Sequence, residues 1–150
     1  MEFRVMLKSY FEQVRCKSDF LTFLTELQRN NVSYYIYFVA TGNVKVITTS
    51  DNYVSVEGRQ GIIKISANAS KFLTRVAAKR HFAGRTSYEQ YCLELANAGV
   101  FKWIVDLNEN MRFYWSKDNQ LLYCENVLPV PKATLQTELE KYHFFTLMRV

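Results

Sequence analysis

Cysteine, histidine, glycine and proline are all scarce in this chain of 150 residues. Its three cysteines, Cys16, Cys92 and Cys124, form no CxxC pair, and an odd, scattered set fits a reducing compartment better than a disulfide framework. Only two histidines are present, His81 and His143, and no Cys/His cluster has ligand spacing, so neither a metal nor a cofactor is expected. Five glycines and two prolines are too few for a flexible or Pro-rich tether. No apolar run approaches the roughly 20 residues of a bilayer span. The opening MEFRVMLKSYFEQVR carries Glu2, Arg4 and Lys8 inside its apolar pattern, unlike a secretory leader. These absences predict a cytoplasmic protein with no membrane association. Also missing are a Ser/His/Asp order, paired carboxylates and a glycine-rich phosphate loop, which points away from an enzyme.

Aromatic side chains are abundant instead, with ten Tyr and eleven Phe among 49% apolar residues, and such rings fill the faces of a sheet. Helical spacing of Phe3, Met6, Leu7, Tyr10, Phe11 and Val14 predicts a first helix. A second starts at Ser18 or Asp19 as N-cap and runs to Arg29, with Phe20, Phe23, Leu24 and Leu27 inward. Strands are predicted at 34–40 and 44–49 around the turn Thr41-Gly42-Asn43, and at 53–56 after Ser50-Asp51-Asn52. An edge strand is expected at 61–66. A helix over 70–82 directs Phe72, Leu73, Val76 and Ala77 inward and ends at Gly84. Thr86, with Glu89 three residues on, reads as the capping box of the next helix, whose inner face is Tyr88, Tyr91, Cys92 and Leu95. Strands follow at 101–107, 111–116 and 121–124.

The first half repeats in the second at a shift of 68 positions: Phe20, Phe23, Leu24 and Leu27 fall on Tyr88, Tyr91, Cys92 and Leu95, and Tyr35 and Ile36 fall on Trp103 and Ile104. Removing one residue at the first turn places Asp51-Asn52 on Asp118-Asn119. The expected fold class is therefore α+β: a duplicated helix–helix–three-strand meander forming antiparallel sheet covered by helices. One domain is expected over 1–131, with repeats at roughly 3–57 and 70–125. Leu128-Pro129-Val130-Pro131 stops the last strand. Residues 132–150 form an extension with a helix over 134–142 and an apolar end of Phe144, Phe145, Leu147 and Met148 that can dock on this domain or a second subunit.

The stretch His81-x-x-Gly84-Arg85-Thr86-x-Tyr88-x-x-Tyr91-Cys92 resembles the signature of a small bacterial and prophage family of unknown function, often labelled "phage envelope protein". Ala98-Gly99-Val100-x-Lys102-Trp103-Ile104-Val105-Asp106-Leu107, Val127 to Pro131, Val32-Ser33-Tyr34-Tyr35 and Val39-Ala40-x-Gly42 extend the likeness over residues 17–131. The chain departs after Asn43, where the family carries more tyrosine and glycine, and its tail after Pro131 is additional. The resemblance implies relatives and a prophage origin; it supplies no reaction.

Two clusters carry candidate chemistry. His81 and Cys92 at one helix–helix corner, with Asp106 to orient the histidine, have the residue types of a thiol nucleophile and its base. Each also has a structural role: His81 suits a helix C-terminus, Cys92 faces the core, and Asp106 alternates outward. Charge is the stronger signal. Between Glu57 and Glu89 no acidic residue occurs but seven basic ones do, Arg59, Lys64, Lys71, Arg75, Lys79, Arg80 and Arg85, leaving twelve basic and fourteen acidic residues elsewhere. Lys71, Arg75 and Lys79 form one helical stripe that suits phosphates or an acidic partner. Tyr35, Tyr37, Trp103 and Tyr114 are candidates to line a pocket between helices and sheet. The leading reading is a non-catalytic binding or interaction protein using Lys71, Arg75, Lys79, Arg80, Arg85, Tyr88 and Trp103, with an unknown protein or small ligand as partner. A thiol-dependent enzyme using Cys92 and His81, and a nucleic-acid-binding protein using the basic helix 71–85, are the alternatives. Oligomeric state stays open.

Overall fold

The computed structural model describes residues 2–16, 20–58 and 61–127. Ser18, Asp19, Arg59, and the proline stop, helix and apolar end expected over 128–150 lie outside the described residues. Helices α1 (Phe3–Cys16) and α2 (Phe20–Arg29) precede strands β1 (Val32–Phe38), β2 (Val44–Thr48) and β3 (Tyr53–Val56). Helices α3 (Lys71–Phe82) and α4 (Tyr88–Asn97) precede β4 (Val100–Asp106), β5 (Met111–Ser116) and β6 (Leu121–Asn126). The protein is α+β, with one six-stranded sheet in the order β3-β2-β1-β4-β5-β6 and every neighbouring pair antiparallel.

The geometry recurs at a constant spacing. α2 and α4 start at residues 20 and 88, and β1 and β4 at 32 and 100, with the same alternation of burial along both strands. Left-handed backbone falls at Asn31 and Gly99, Gly42 and Asn110, and Asp51 and Asn119, each pair 68 residues apart. No residue has to be removed at the first turn: Asp51 matches Asn119 rather than Asp118. The central pairing is two-fold about Ile36 and Ile104, with Tyr35 opposite Val105 and Tyr37 opposite Trp103.

All four helices cover one face of the sheet. Leu7 and Phe11 of α1, Phe23, Leu24 and Leu27 of α2, Ala77 and Ala78 of α3, and Tyr91, Cys92 and Leu95 of α4 join one core with Val44, Val46, Val105 and Tyr114 from the sheet. On the opposite face Met111, Phe113, Trp115 and Leu121 form a second apolar cluster with Ile104 and Cys124.

Three local expectations change. α3 buries Thr74, Ala77 and Ala78, while Phe72 and Leu73 are exposed; small residues let the helix approach its neighbours closely, and the Thr74 hydroxyl is satisfied by donating to the Ser70 carbonyl at 2.7 Å. Ser87, not Thr86, caps α4, its hydroxyl accepting from the Gln90 amide at 3.1 Å. Glu89 then lies too early to close a capping box. Residues 61–66 form no strand: the Ile63 amide donates to Ala40 and the Ser66 amide to Ala96, so the segment straps two elements rather than pairing along one. Gly84, with φ +78, closes α3 as expected. The Gly84 amide donates to His81 and the Arg85 amide to Arg80, the paired bonds of a Schellman ending.

Candidate functional site

Over the centre of the sheet all four helices leave a cavity of about 440 Å³, lined by Phe11 and Val14 of α1, Phe20 of α2, Tyr35 of β1, His81 and Phe82 of α3, Tyr88 and Tyr91 of α4, Trp103 of β4 and Arg112 of β5, with Gly84 and Thr86 at the α3–α4 turn. Three pairs of lining residues, Val14 and Phe82, Phe20 and Tyr88, and Tyr35 and Trp103, stand 68 positions apart. The cavity therefore lies where the two halves meet, and both contribute equivalent walls.

Those walls are built from interlocked rings. Tyr37 stacks on Trp103 with centroids 4.1 Å apart, and His81 stacks on Tyr91 at 4.0 Å. Phe11 meets Tyr35 edge-on at 5.0 Å. Offset and edge-on pairs of this kind fix ring orientation beyond what apolar burial alone would do.

A buried polar network adjoins the rings. Arg112 is only 2% exposed, and its Nη1 donates to Glu125 Oε2 at 2.9 Å. The Tyr114 hydroxyl donates to the same carboxylate oxygen at 2.7 Å and is hydrogen-bonded to the Tyr91 hydroxyl. The Arg112 guanidinium carbon sits 4.3 Å from the Phe82 ring centre and 4.9 Å from that of Phe20, a cation–π arrangement. Burial opposes its charge, but Tyr114, Tyr91 and Glu125 outweigh that and keep it cationic. Burial pushes Tyr35 up to about 12 and Tyr88, Tyr91 and Tyr114 well above the ordinary phenol value, so all four stay neutral at physiological pH.

His81 Nδ1 lies 3.2 Å from both the carbonyl and the hydroxyl oxygen of Thr86. A carbonyl only accepts, so Nδ1 carries the proton and Nε2 is left as the acceptor. Burial, the largest influence, holds this histidine below its usual pKa, favouring the neutral ring. The site thus offers one buried cation, one neutral imidazole, neutral phenols and a surround of apolar rings.

The other sequence-predicted residues are placed as follows. Tyr88 and Trp103 line the cavity. Of the pocket candidates, Tyr35 also lines it, Tyr37 backs Trp103, and Tyr114 belongs to the network beneath. Cys92 has no exposed surface, is not a lining residue, and has its Sγ 3.8 Å from the Tyr37 hydroxyl. Asp106 Oδ1 accepts from the Asn108 and Glu109 amides, capping the β4–β5 turn, and Thr86 holds His81 instead. Lys71, Arg75 and Lys79 are exposed along the outer side of α3. Arg80 pairs with Glu94 at 2.9 Å, and Arg85 is exposed in the turn after Gly84. Among the described residues no group of three or more His, Cys, Asp or Glu could hold a metal ion, and no helix is long and apolar enough to cross a membrane.

Sequence reasoning missed Arg112 and Glu125. Their signal was the single charge inside Met111-Arg112-Phe113-Tyr114-Trp115. With every neighbour apolar, alternation did not say which face the arginine takes.

A family model described as "Protein of unknown function (DUF1398)" matches residues 8–126, which include every lining residue and the Arg112–Glu125 pair. The chain is 38% identical over 123 residues to the uncharacterized protein YcgX of Escherichia coli K12, covering 82% of this chain and 92% of that one. It is 34% identical over 122 residues to the uncharacterized protein YbcV of the same organism, covering 81% and 90%. The earlier resemblance thus resolves to a family whose description names no activity and does not include the phage-envelope label: the chain belongs to the DUF1398 family of proteins of unknown function.

Proposed function

We propose that this protein is a non-catalytic binding protein that holds a small planar ligand in the cavity between its two halves. The observation that carries this reading is the cavity itself: about 440 Å³, ring-lined, with the nearly fully buried Arg112 among its walls. Concave, mostly apolar space with a few convergent polar groups is the usual form of a small-molecule site. The halves of the chain are read as two copies of one unit, with the ligand between them. Native mass spectrometry on protein purified gently at low salt, then challenged with planar aromatics, tests the reading. A one-to-one adduct that Trp103→Ala loses supports it; no adduct under any challenge overturns it.

A second reading rests on the exposure of Lys71, Arg75 and Lys79 along one side of α3. It has that stripe dock a polyanion such as nucleic acid, with binding that weakens steeply as salt rises. Changing all three residues to Gln should then abolish capture without unfolding the domain, and unchanged capture would remove the stripe from consideration. Thiol chemistry at Cys92 requires alkylation of the native protein, whereas full burial of Cys92 predicts labelling only after denaturation. A cytoplasmic site of action and the prophage origin implied by the resemblance belong to the same proposal. Recovery of the protein in purified particles would replace it with a virion role.

A further inference from the structure

We infer that the ligand is a small planar aromatic monocarboxylate, its ring among Trp103, Tyr88 and Phe82 and its carboxylate on Arg112. This rests on the cavity-binding reading and adds the chemical class.

The guanidinium carries five N–H donors in a planar fork. One hydrogen bond, from Nη1 to Glu125, is what it makes among the described residues, and Arg112 also lines the cavity. Because Arg112 is a lining residue, a group bound in the cavity lies beside a guanidinium with donors to spare. A buried guanidinium with donors left over is matched best by a planar acceptor that takes two parallel N–H bonds, as a carboxylate does.

The charge balance selects a monoanion. Arg112 and Glu125 together are neutral, and Glu125 Oε2 is shared with the Tyr114 hydroxyl, which spreads its charge. Among the described residues no lysine and no second arginine lines the cavity, and His81 is held in its neutral form. One added negative charge is tolerable there; a dianionic phosphate would bring two against a single, already paired cation. The ring walls select the rest of the molecule, because flat π faces stack on Trp and Tyr where a flexible chain would lose more conformational freedom.

The test uses two probes of one shape, 2-naphthoate and its neutral amide, 2-naphthamide, titrated calorimetrically into the whole chain. The expected result is naphthoate binding about tenfold or more tighter than the amide, the usual advantage of a charge-assisted pair. In an Arg112→Met, Glu125→Leu double variant the preference should vanish while amide affinity is kept. Should that variant not fold, Arg112→Lys serves: it keeps the charge but loses the fork, so naphthoate should weaken several-fold. Equal affinity for both probes in the parent chain, or a preference that survives in the double variant, overturns the carboxylate inference and leaves the cavity reading standing. If neither probe binds saturably, the cavity reading falls and this inference with it.

Discussion

The two halves of the molecule place different chemistry on equivalent strands. In the first half, Val46 of β2 lies opposite Tyr35 of β1, and Val44 and Val56 pair across to β3. These valines are at most 3% exposed and belong to the main core. In the second half, Tyr114 of β5 lies opposite Trp103 of β4, the counterpart of Tyr35, and Arg112 pairs with Glu125 of β6. Where one half has three valines, the other has an arginine and a tyrosine buried to the same degree, and a glutamate whose side chain is 17% exposed. A fold that is stable with the valines does not need the ionic network for packing. Buried ion pairs are weak evidence for stability, because desolvation cancels much of their attraction. The asymmetry is therefore the strongest internal argument that the second half carries the ligand-facing side of the site.

Breaking the network on one side should have the largest effect. Glu125→Leu strands the Arg112 cation in the interior and is expected to cost ~3–5 kcal/mol, read as a fall in the urea midpoint at unchanged slope. Val56→Ala at the equivalent place in the first half should cost only ~2 kcal/mol. The helix-to-strand turns give a second contrast. Gly99 has φ +85, and an added Cβ would lie 2.6 Å from the Ala69 Cα, so Gly99→Ala should lose more than ~2 kcal/mol. Its counterpart Asn31, with φ 62, already carries a side chain there, and Asn31→Gly should be close to neutral.

A smaller change is expected when the second half is made to resemble the first. The triple variant Arg112→Met, Tyr114→Phe, Glu125→Leu removes both charges together and should stay within ~2 kcal/mol of the parent, recovering most of what Glu125→Leu alone loses. A triple variant as unstable as the single one would show that the network is structural and the comparison misread. The smallest effect concerns pH. His81 has a lowered pKa in the folded state, so below about pH 6.5 the unfolded chain takes up a proton that the native protein resists. Stability should be at its full value above that pH and fall as acidity increases through the folded-state pKa. His81→Gln should flatten this part of the profile in denaturation series.

The sheet was legible because its strands are β-branched and aromatic runs between turn residues, and the spacing of 68 was visible in the helix faces. Orientation was harder to read. In α3, Phe72 and Leu73 outrank Thr74, Ala77 and Ala78 in hydrophobicity, yet close packing selected the smaller residues. Thr86 and Ser87 are both competent N-caps, and only backbone geometry shows that Ser87 does the capping while Thr86 holds His81. Of the residues that line the cavity, His81, Tyr35, Tyr88 and Trp103 are also candidates from the sequence. The reason they converge, a cavity at the junction of the halves, depends on tertiary placement that no local pattern encodes. Arg112 escaped because β5 is buried along its whole length, which removes the alternation that assigns a charge to a face.

The central claim is that ligand binds between the halves, and an amide NMR titration of the whole chain with 2-naphthoate tests it most directly. The account predicts shifts with one common midpoint at Phe20, Tyr35, His81, Trp103 and Arg112, spanning both halves, while Lys71, Arg75 and Lys79 stay unmoved. Shifts confined to the α3 stripe, or none at saturating probe, would contradict it.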